Sequence, residues 1–474
     1  MKKQAIMIPA LAVIIFLSQG CFRTGPLPLA PVPDSLPETF LAGPKASGDN
    51  PGAAMAVHEP WWKSFGSSEL NRIIDQALGS NFTIREALAR LDQARAMSME
   101  TRSLLLPVIT LEAGASHKRT RSQGQESTLD TIALGPAASY EMDLWGEIRS
   151  RTMAGDLSAR ASRSDLETAA MTLTAEVSNT WVDQLAAVKA LDLVKQQLAT
   201  NTLLLELLEL RFENALSTSL DILQQQEAVA HVTAQIPPLE QEIKRLSNRL
   251  CLLQGKPPTN ALAVINTDFP ILTPLPAMGI PADLLSKRPD IQAAGFRLMA
   301  DQWESRAEQA ARLPSLNLTG TMGLQSSGLD ALFNSWILSL GANMAATVFD
   351  GGKKAAAREQ AKAVVAEGLA YYERTVFTAL VEVEDALSEE VHQRAWLAAL
   401  NQELDAARLA LGEATRRYQR GIITFLPLIS EQLNVQNLEK GIILQQAELI
   451  KARIALYRSL GGSFTQTKNL GKQK

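Results

Sequence analysis

Aromatic residues make up only 5% of this chain, cysteines number two and histidines four in 474 residues. Ala, Leu, Gln and Glu are abundant instead, a mix that suits long helices better than a compact globular core. The formal charge is -4, which removes the electrostatic case for nucleic acid as a partner. His58, His117, His231 and His392 are scattered with no ligand spacing, so no metal site is expected. GxSxG, P-loop and HExxH patterns are missing. Asp350-Gly351-Gly352 reads as a strand-to-helix turn, because no second glycine-lysine element follows to cradle a phosphate. Together these absences leave no catalytic residue, no cofactor and no enzyme activity to assign. Proline is also missing where it matters: none occurs from Gly146 to Ala215, nor from Gly352 to Arg420.

The two cysteines differ in setting. Lys2 and Lys3 precede a short apolar run from Ile6 to Leu17, ending at Gly20, and residues 1–20 read as an export signal. The alternative is an uncleaved anchor, for which the run is short. Cys21 follows directly, ahead of a Pro-rich tether over 21–60. That order is similar to the acylation site of bacterial lipoproteins, although Ser18 stands where Leu is usual. Cys251 lies in a Leu-rich stretch and reads as a small buried hydrophobe. A Cys21–Cys251 disulfide would suit an oxidising compartment but excludes acylation of Cys21.

What is present is a repeat. Leu106-Pro107-Val108-Ile109 returns as Leu313-Pro314-Ser315-Leu316, and Trp145-Gly146-Glu147 as Gly351-Gly352-Lys353. Arg211-Phe212-Glu213-Asn214-Ala215 returns as Arg417-Tyr418-Gln419-Arg420-Gly421, and Leu253-Gln254-Gly255 as Leu460-Gly461-Gly462. The spacing far exceeds that of a solenoid, so the chain is two copies of one large unit. The first copy is assigned to 61–262, a linker to 263–280, the second copy to 281–462 and a tail to 463–474.

Each copy opens with an amphipathic helix pattern: Leu70, Ile73, Ile74, Ala77 and Leu78, continuing through Ala87, Leu91 and Ala94 to a stop at Pro107. The second runs from Pro281 to Pro314. After each stopping proline the period becomes two. Ile109, Leu111, Ala113 and Ala115 alternate with small or polar residues, and a polar loop is expected from His117 to Asp130. The strand returns through Ile132, Leu134, Ala138, Tyr140 and Met142. In the second copy Leu316, Leu318, Met322 and Leu324 form one strand, and Trp336 through Val348 the other. The hairpins therefore span about 107–143 and 314–348. Strands so lean in large side chains suit a transmembrane barrel, with one face to lipid and one to water. A soluble β-domain packed on helices fits the same alternation. In a membrane, four strands cannot close, so several chains would have to pool them.

The proline-free runs are about 70 residues each, on the order of 100 Å as helix, and need partner helices along their length. Short breaks at 213–219 and 420–425 turn each run into a return helix. Asn214 and Gly421 suit a helix exit. Pro427 fits a first helical turn, and Pro237-Pro238 should break or kink the first return helix.

The chain resembles the TolC-type outer-membrane efflux channels, in the lipoprotein branch that works with resistance-nodulation-division pumps. The resemblance runs from Trp61 to about Gly462. It rests on Trp61-Trp62-x-x-Phe65, Ala89-Arg90-Leu91-Asp92-Gln93-Ala94-Arg95, Tyr140 through Gly146, Arg288-Pro289-Asp290-Ile291 and the two helix turns. It implies an α+β membrane protein: a homotrimer with one pooled β-barrel in outer-membrane lipid and a periplasmic tunnel of helical hairpins. It implies a periplasmic adaptor and an inner-membrane transporter as partners, with transport energy supplied by the latter. Cys21 would carry the lipid. Asn214, Ala215, Leu216, Ser217, Arg420, Gly421 and Thr424 would meet the adaptor. Asp221 matches a carboxylate that follows the first turn in the family. Pro427 and Ser430 stand where some relatives place pore aspartates, and Ile423 where some place arginine. The gate is therefore expected to rest on apolar contacts of Ile422, Ile423, Phe425 and Leu426, with Asp221 either a gate residue or a first-turn carboxylate favoured by the helix dipole. Two other readings are a channel for type I protein secretion and a periplasmic adaptor lipoprotein, though an adaptor would carry bulky-cored soluble β-domains.

Overall fold

The computed structural model describes residues 37, 39–41, 60–122, 124–258, 268–275 and 280–462. The export signal, Cys21, most of the tether and the C-terminal tail lie outside the described residues. The helices are α1 (Ser68–Ser80), α2 (Phe82–Ser103), α3 (Glu147–Glu213), α4 (Ser219–Ala234), α5 (Ile236–Leu253), α6 (Leu284–Lys287), α7 (Pro289–Ala310), α8 (Lys353–Gln419) and α9 (Phe425–Ser459). The strands are β1 (Val108–Ser122), β2 (Gln125–Met142), β3 (Ser315–Ser326) and β4 (Trp336–Ala345). The two proline-free runs are α3 and α8, each 67 residues long. Among the described residues no helix is long and apolar enough to cross a membrane.

The chain forms two compact units, and each draws on both copies of the repeat. The first holds 90–163 and 293–374. Its sheet is an antiparallel meander in the order β1-β2-β3-β4. A single device starts the helix after each hairpin. The Asp143 carboxylate accepts the Ile148 and Arg149 backbone N–H groups at 3.2 and 3.0 Å. The Asp350 carboxylate accepts those of Gly352 and Lys354 at 2.9 and 3.0 Å. These N–H donors hold the Asp350 carboxyl below its usual range, and the negative charge suits a helix N-terminus. Beneath the sheet, Ala154, Leu157 and Ala300 pack with Phe296, Met299 and Trp303. Arg151 reaches Glu147, Glu308 and Glu304 at 3.2, 3.1 and 3.7 Å.

The second unit holds the described residues of 34–89, 164–292 and 375–462. Trp61 stacks on Tyr457 at 5.5 Å, and Trp62 is buried. The expected first helix is two: α1 ends at Asn81, whose side-chain amide donates to the Leu253 carbonyl at 2.8 Å and whose Oδ1 caps α2. The interruption fastens the start of the chain to the end of α5. The Pro281–Pro314 helix is likewise divided, into a 3-10 turn, α6 and α7. Arg288 explains the second break. It is 4% exposed and forks to Asp290 at 2.6 and 3.0 Å, to Glu382 at 2.7 Å and to the Ser459 carbonyl at 3.1 Å. Pro289 then opens α7, where its missing N–H costs little. Arg453 and Glu390, both 1% exposed, form a second buried pair that also grips the linker through the Thr273 carbonyl at 2.9 Å. Pro237-Pro238 produces a break at Gln235, with the prolines in the first turn of α5.

Candidate functional site: a two-faced sheet and two helix turns

The strand registers decide what the sheet can do. Ile109, Leu111, Ala113 and Ala115 pair with Ala138, Pro136, Leu134 and Ile132. Leu134, Ala138, Tyr140 and Met142 pair with Leu324, Gly320, Leu318 and Leu316. Those in turn pair with Trp336, Leu340, Ala342 and Met344. Because strand side chains alternate, these residues share one face, and it is apolar across all four strands. The opposite face carries Thr110, Glu112, Ser116, Ser139, Glu141, Asn317, Thr319, Thr321, Ser339 and Asn343. Leu111, Leu338 and Leu340 on the apolar face are 76%, 56% and 81% exposed, so nothing among the described residues covers it. Tyr140 to Ile132 is about 27 Å of strand, or roughly 21 Å along the normal at ~40° tilt, close to the ~25 Å apolar band of outer-membrane barrels.

Two differences from expectation lie in the strands. His117–Asp130 is not a loop: β1 and β2 stay paired to Ser122↔Gln125, with His117 opposite Asp130 and Arg121 opposite Glu126. Cross-strand contacts, the His117–Asp130 hydrogen bond and the Arg119–Glu126 ion pair, both at 2.5 Å, stabilise a ribbon that has no hydrophobic period. In the second copy β4 ends at Ala345, short of Val348. Pro136 removes a ladder donor inside β2, and the β2–β3 pairing skips it. Backbones approach closely there: a Cβ on Gly135 would lie 2.2 Å from the Met322 carbonyl oxygen, so only glycine fits.

At the other end of the chain's long helices, one turn geometry occurs twice. Ala215 N–H donates to the Phe212 carbonyl at 2.9 Å and Leu216 N–H to Arg211 at 2.8 Å. Gly421 N–H donates to Tyr418 at 3.0 Å and Ile422 N–H to Arg417 at 2.9 Å. Both are Schellman closures, with the left-handed residue at Ala215 (φ 55°) and Gly421 (φ 71°). The left-handed position in the first turn is thus Ala215 rather than Asn214, which remains helical enough for its amide to reach the Leu210 carbonyl at 2.8 Å. Ser217 closes back on the Leu208 carbonyl at 3.0 Å. Asp221 forms a capping box with Thr218, each side chain accepting the other's backbone N–H at 2.9 and 3.2 Å. Thr424 caps α9 without a side-chain bond, and the basic end of α8 is ordered by Glu413, held below its usual range by Arg416 and Arg417.

The two hairpins meet through Leu208, Ala228, Ala414, Phe425, Leu428 and Ile429. Arg211 lies over the Tyr418 ring at 5.0 Å, and Tyr418 meets Phe425 at 5.6 Å. Burial raises the Tyr418 phenol, an effect that Arg211 opposes. This separates the expected gate residues. Phe425 is a 1% exposed anchor of the joint, with Ile423 packed against it, whereas Ile422 and Leu426 are 63% and 56% exposed.

Above that joint lies an amide cluster absent from the sequence reading. Asn201 and Gln225 have no exposure and Gln432 is buried. Gln225 Nε2 donates to the Asn201 carbonyl at 2.8 Å and to Asn201 Oδ1 at 3.1 Å, and Gln432 Nε2 donates to the same Oδ1 at 3.0 Å. Asn201 thereby joins α3, α4 and α9. Its repeat counterpart, Ala407, sits in an apolar cluster with Leu404, Val435 and Ile442.

A four-stranded sheet with one apolar and one polar face, together with two helical hairpins built on 67-residue helices, is the pattern of an outer-membrane channel subunit. The family model described as outer membrane efflux protein matches residues 73–256 and 280–462. The chain is 32% identical over 447 residues to the pyoverdine export outer membrane protein OpmQ of Pseudomonas putida, spanning 90% of this chain and 94% of that one. It is 31% identical over 487 residues to the outer membrane protein OprJ of Pseudomonas aeruginosa, spanning 99% and 98%. The solved outer-membrane channel OprN superposes with a TM-score of 0.86 at 28% identity, over 93% of this chain and 99% of that one. The chain belongs to the outer membrane efflux protein family. Its place is the outer membrane and its role efflux through a channel, and the family consists of channels rather than enzymes.

Proposed function

We propose that three copies of this chain pool their hairpins into one twelve-stranded barrel, with the apolar face against lipid and the polar face lining water. The uncovered apolar face carries this reading: four strands leave two open edges, which hydrocarbon does not tolerate, so closure requires more than one chain. The helical hairpins form the periplasmic conduit, and the turns at 213–219 and 420–425 dock a periplasmic adaptor that links the channel to an inner-membrane transporter. The transporter supplies energy and selects cargo. Small organic molecules are the cargo class, a reading supported by relatives named for export of pyoverdine, toluene and antibiotics. Acylated Cys21 anchors the N-terminus. Ile422 and Leu426 line the closed tip, and Asp221 acts there by holding the start of α4. Without a ring of second-copy aspartates, the tip closes by dewetting.

Planar-bilayer recording together with native mass spectrometry of the detergent-extracted full chain tests this. Trimers with small closed-state conductance, insensitive to micromolar multivalent cations from the periplasmic side, are expected. Monomers contradict the barrel, and strong cation block contradicts the apolar gate.

A further inference from the structure

Strands β1 and β2 outrun the rest of the sheet. The last β2–β3 pair is Ile132↔Ser326, and β4 begins opposite Leu324. Residues 116–131 therefore form a two-stranded ribbon beyond the four-stranded part. The helices join the sheet at its Val108 and Met142 end, so the ribbon points to the far side of the membrane. Its two faces differ sharply. On the side continuous with the lipid-facing band are His117, Arg119 and Arg121 on β1, and Glu126, Thr128 and Asp130 on β2. On the side continuous with the water-lined face are Ser116, Lys118, Thr120, Ser127, Leu129 and Thr131.

Cross-strand pairing accounts for opposite charges sharing a face, but not for that face being the one continuous with the lipid-facing band, which needs a reason of its own. Depth supplies one. His117 and Arg119 stand two and four residues past Ala115, roughly 5 and 10 Å higher along the membrane normal, at the level of the outer headgroup layer. Headgroups there bear phosphate, and the guanidinium is the side chain best matched to phosphate oxygens. The Arg119 contact with Glu126 uses one guanidinium nitrogen, leaving donors to spare among its five. Arg121, opposite Glu126, adds a second guanidinium on the same face.

We infer that Arg119 and Arg121, with His117 beside them, form a binding site on the outer wall of the barrel for the phosphates of outer-leaflet glycolipid. This rests on the barrel reading above and assigns the exposed β1–β2 ribbon a ligand, a phosphorylated lipid headgroup held at the membrane surface. Lys118 is the internal control: it lies between His117 and Arg119 in sequence but on the opposite face.

The full-length protein extracted in detergent is titrated with bisphosphorylated lipid A, with dephosphorylated lipid A and with inorganic phosphate, and bound lipid is counted by native mass spectrometry. Wild-type protein is expected to retain bisphosphorylated lipid A at least tenfold better than the dephosphorylated form, even with excess inorganic phosphate. R119Q/R121Q is expected to lose about tenfold or more, K118Q nothing, and R119K/R121K is expected to recover part of the loss. Circular dichroism and oligomer mass verify that the variants are folded. Equal retention of both lipids, equal loss in K118Q, or full competition by inorganic phosphate overturns the site. Protein that needs no detergent and binds neither lipid instead overturns the barrel.

Discussion

Replacing Asn201 with alanine removes the acceptor that holds three helices together. Asn201 Oδ1 accepts from Gln225 and Gln432 in a site with no solvent access. After N201A, Gln225 keeps its bond to the Asn201 backbone carbonyl, but the Gln432 amide loses its acceptor. An unsatisfied buried donor costs about 1–3 kcal/mol, and the vacated amide volume adds about 1 kcal/mol. The expected destabilisation is about 2–4 kcal/mol per chain. With an unfolding entropy of about 2.1 cal/mol/K per residue over 474 residues, Tm should fall by about 2–4 °C in a calorimetric scan of the purified protein. Asn401 is the matched control: its amide makes the same helical bond, to the Leu397 carbonyl at 2.7 Å, but it is exposed. N401A should leave Tm within about 1 °C. Because α4 and α9 are the return helices of the two copies, N201A should also raise the frequency of large openings in planar bilayers. Unchanged Tm and unchanged openings in N201A, or equal effects in N401A, would refute the claim that this cluster clamps the return helices.

The duplicated turn yields opposite expectations at equivalent positions. A215G should stabilise by up to about 1 kcal/mol, because alanine in the left-handed region is strained, whereas G421A should destabilise by about 1 kcal/mol; urea melts of both variants measure this, and shifts of the same sign contradict it. R288A should cost about 1–3 kcal/mol by removing the buried guanidinium's bonds to Asp290, Glu382 and the Ser459 carbonyl, since both carboxylates keep partial solvent access, with little recovery in R288K, as read by Tm and the yield of assembled oligomer. Burial, reinforced by Glu367, raises the Asp301 carboxyl. A raised folded-state carboxyl binds protons before the unfolded chain does, so its penalty is full above the folded value and vanishes below the unfolded one. D301N should therefore be more stable than wild type at neutral pH, with the advantage shrinking as pH falls through the folded value of Asp301. An advantage that is constant with pH contradicts this.

The parts of the fold most legible in the sequence were those fixed by backbone rules. Absence of proline located α3 and α8 to within a residue or two, and the Arg-aromatic-x-x-Ala or Gly pattern located both Schellman turns. Alternation found the strands wherever one face is apolar. It failed from His117 to Asp130 because the ribbon is polar on both faces, and cross-strand polar contacts rather than burial hold its register. It also could not reveal that Asn81 and Arg288 break their helices, since the bonds that reward each break come from residues 172 and 171 positions away. Asn201 reads as a surface amide on a long helix; only the approach of α4 and α9 makes it buried. At the tip, side-chain type marked Phe425 as apolar, but packing alone separates that anchor from Ile422 and Leu426.

Single-cysteine spin labels stepped from Trp336 to Ala345 test the two-faced sheet most directly, in full-length protein reconstituted in bilayers, with the buried Cys251 replaced by alanine. Collision with oxygen should peak at positions 338, 340, 342 and 344, and collision with a water-soluble nickel complex at 337, 339, 341 and 343, in strict alternation. Equal exposure of both faces to water, or protection of the apolar face from oxygen, would contradict a sheet that separates lipid from an aqueous channel.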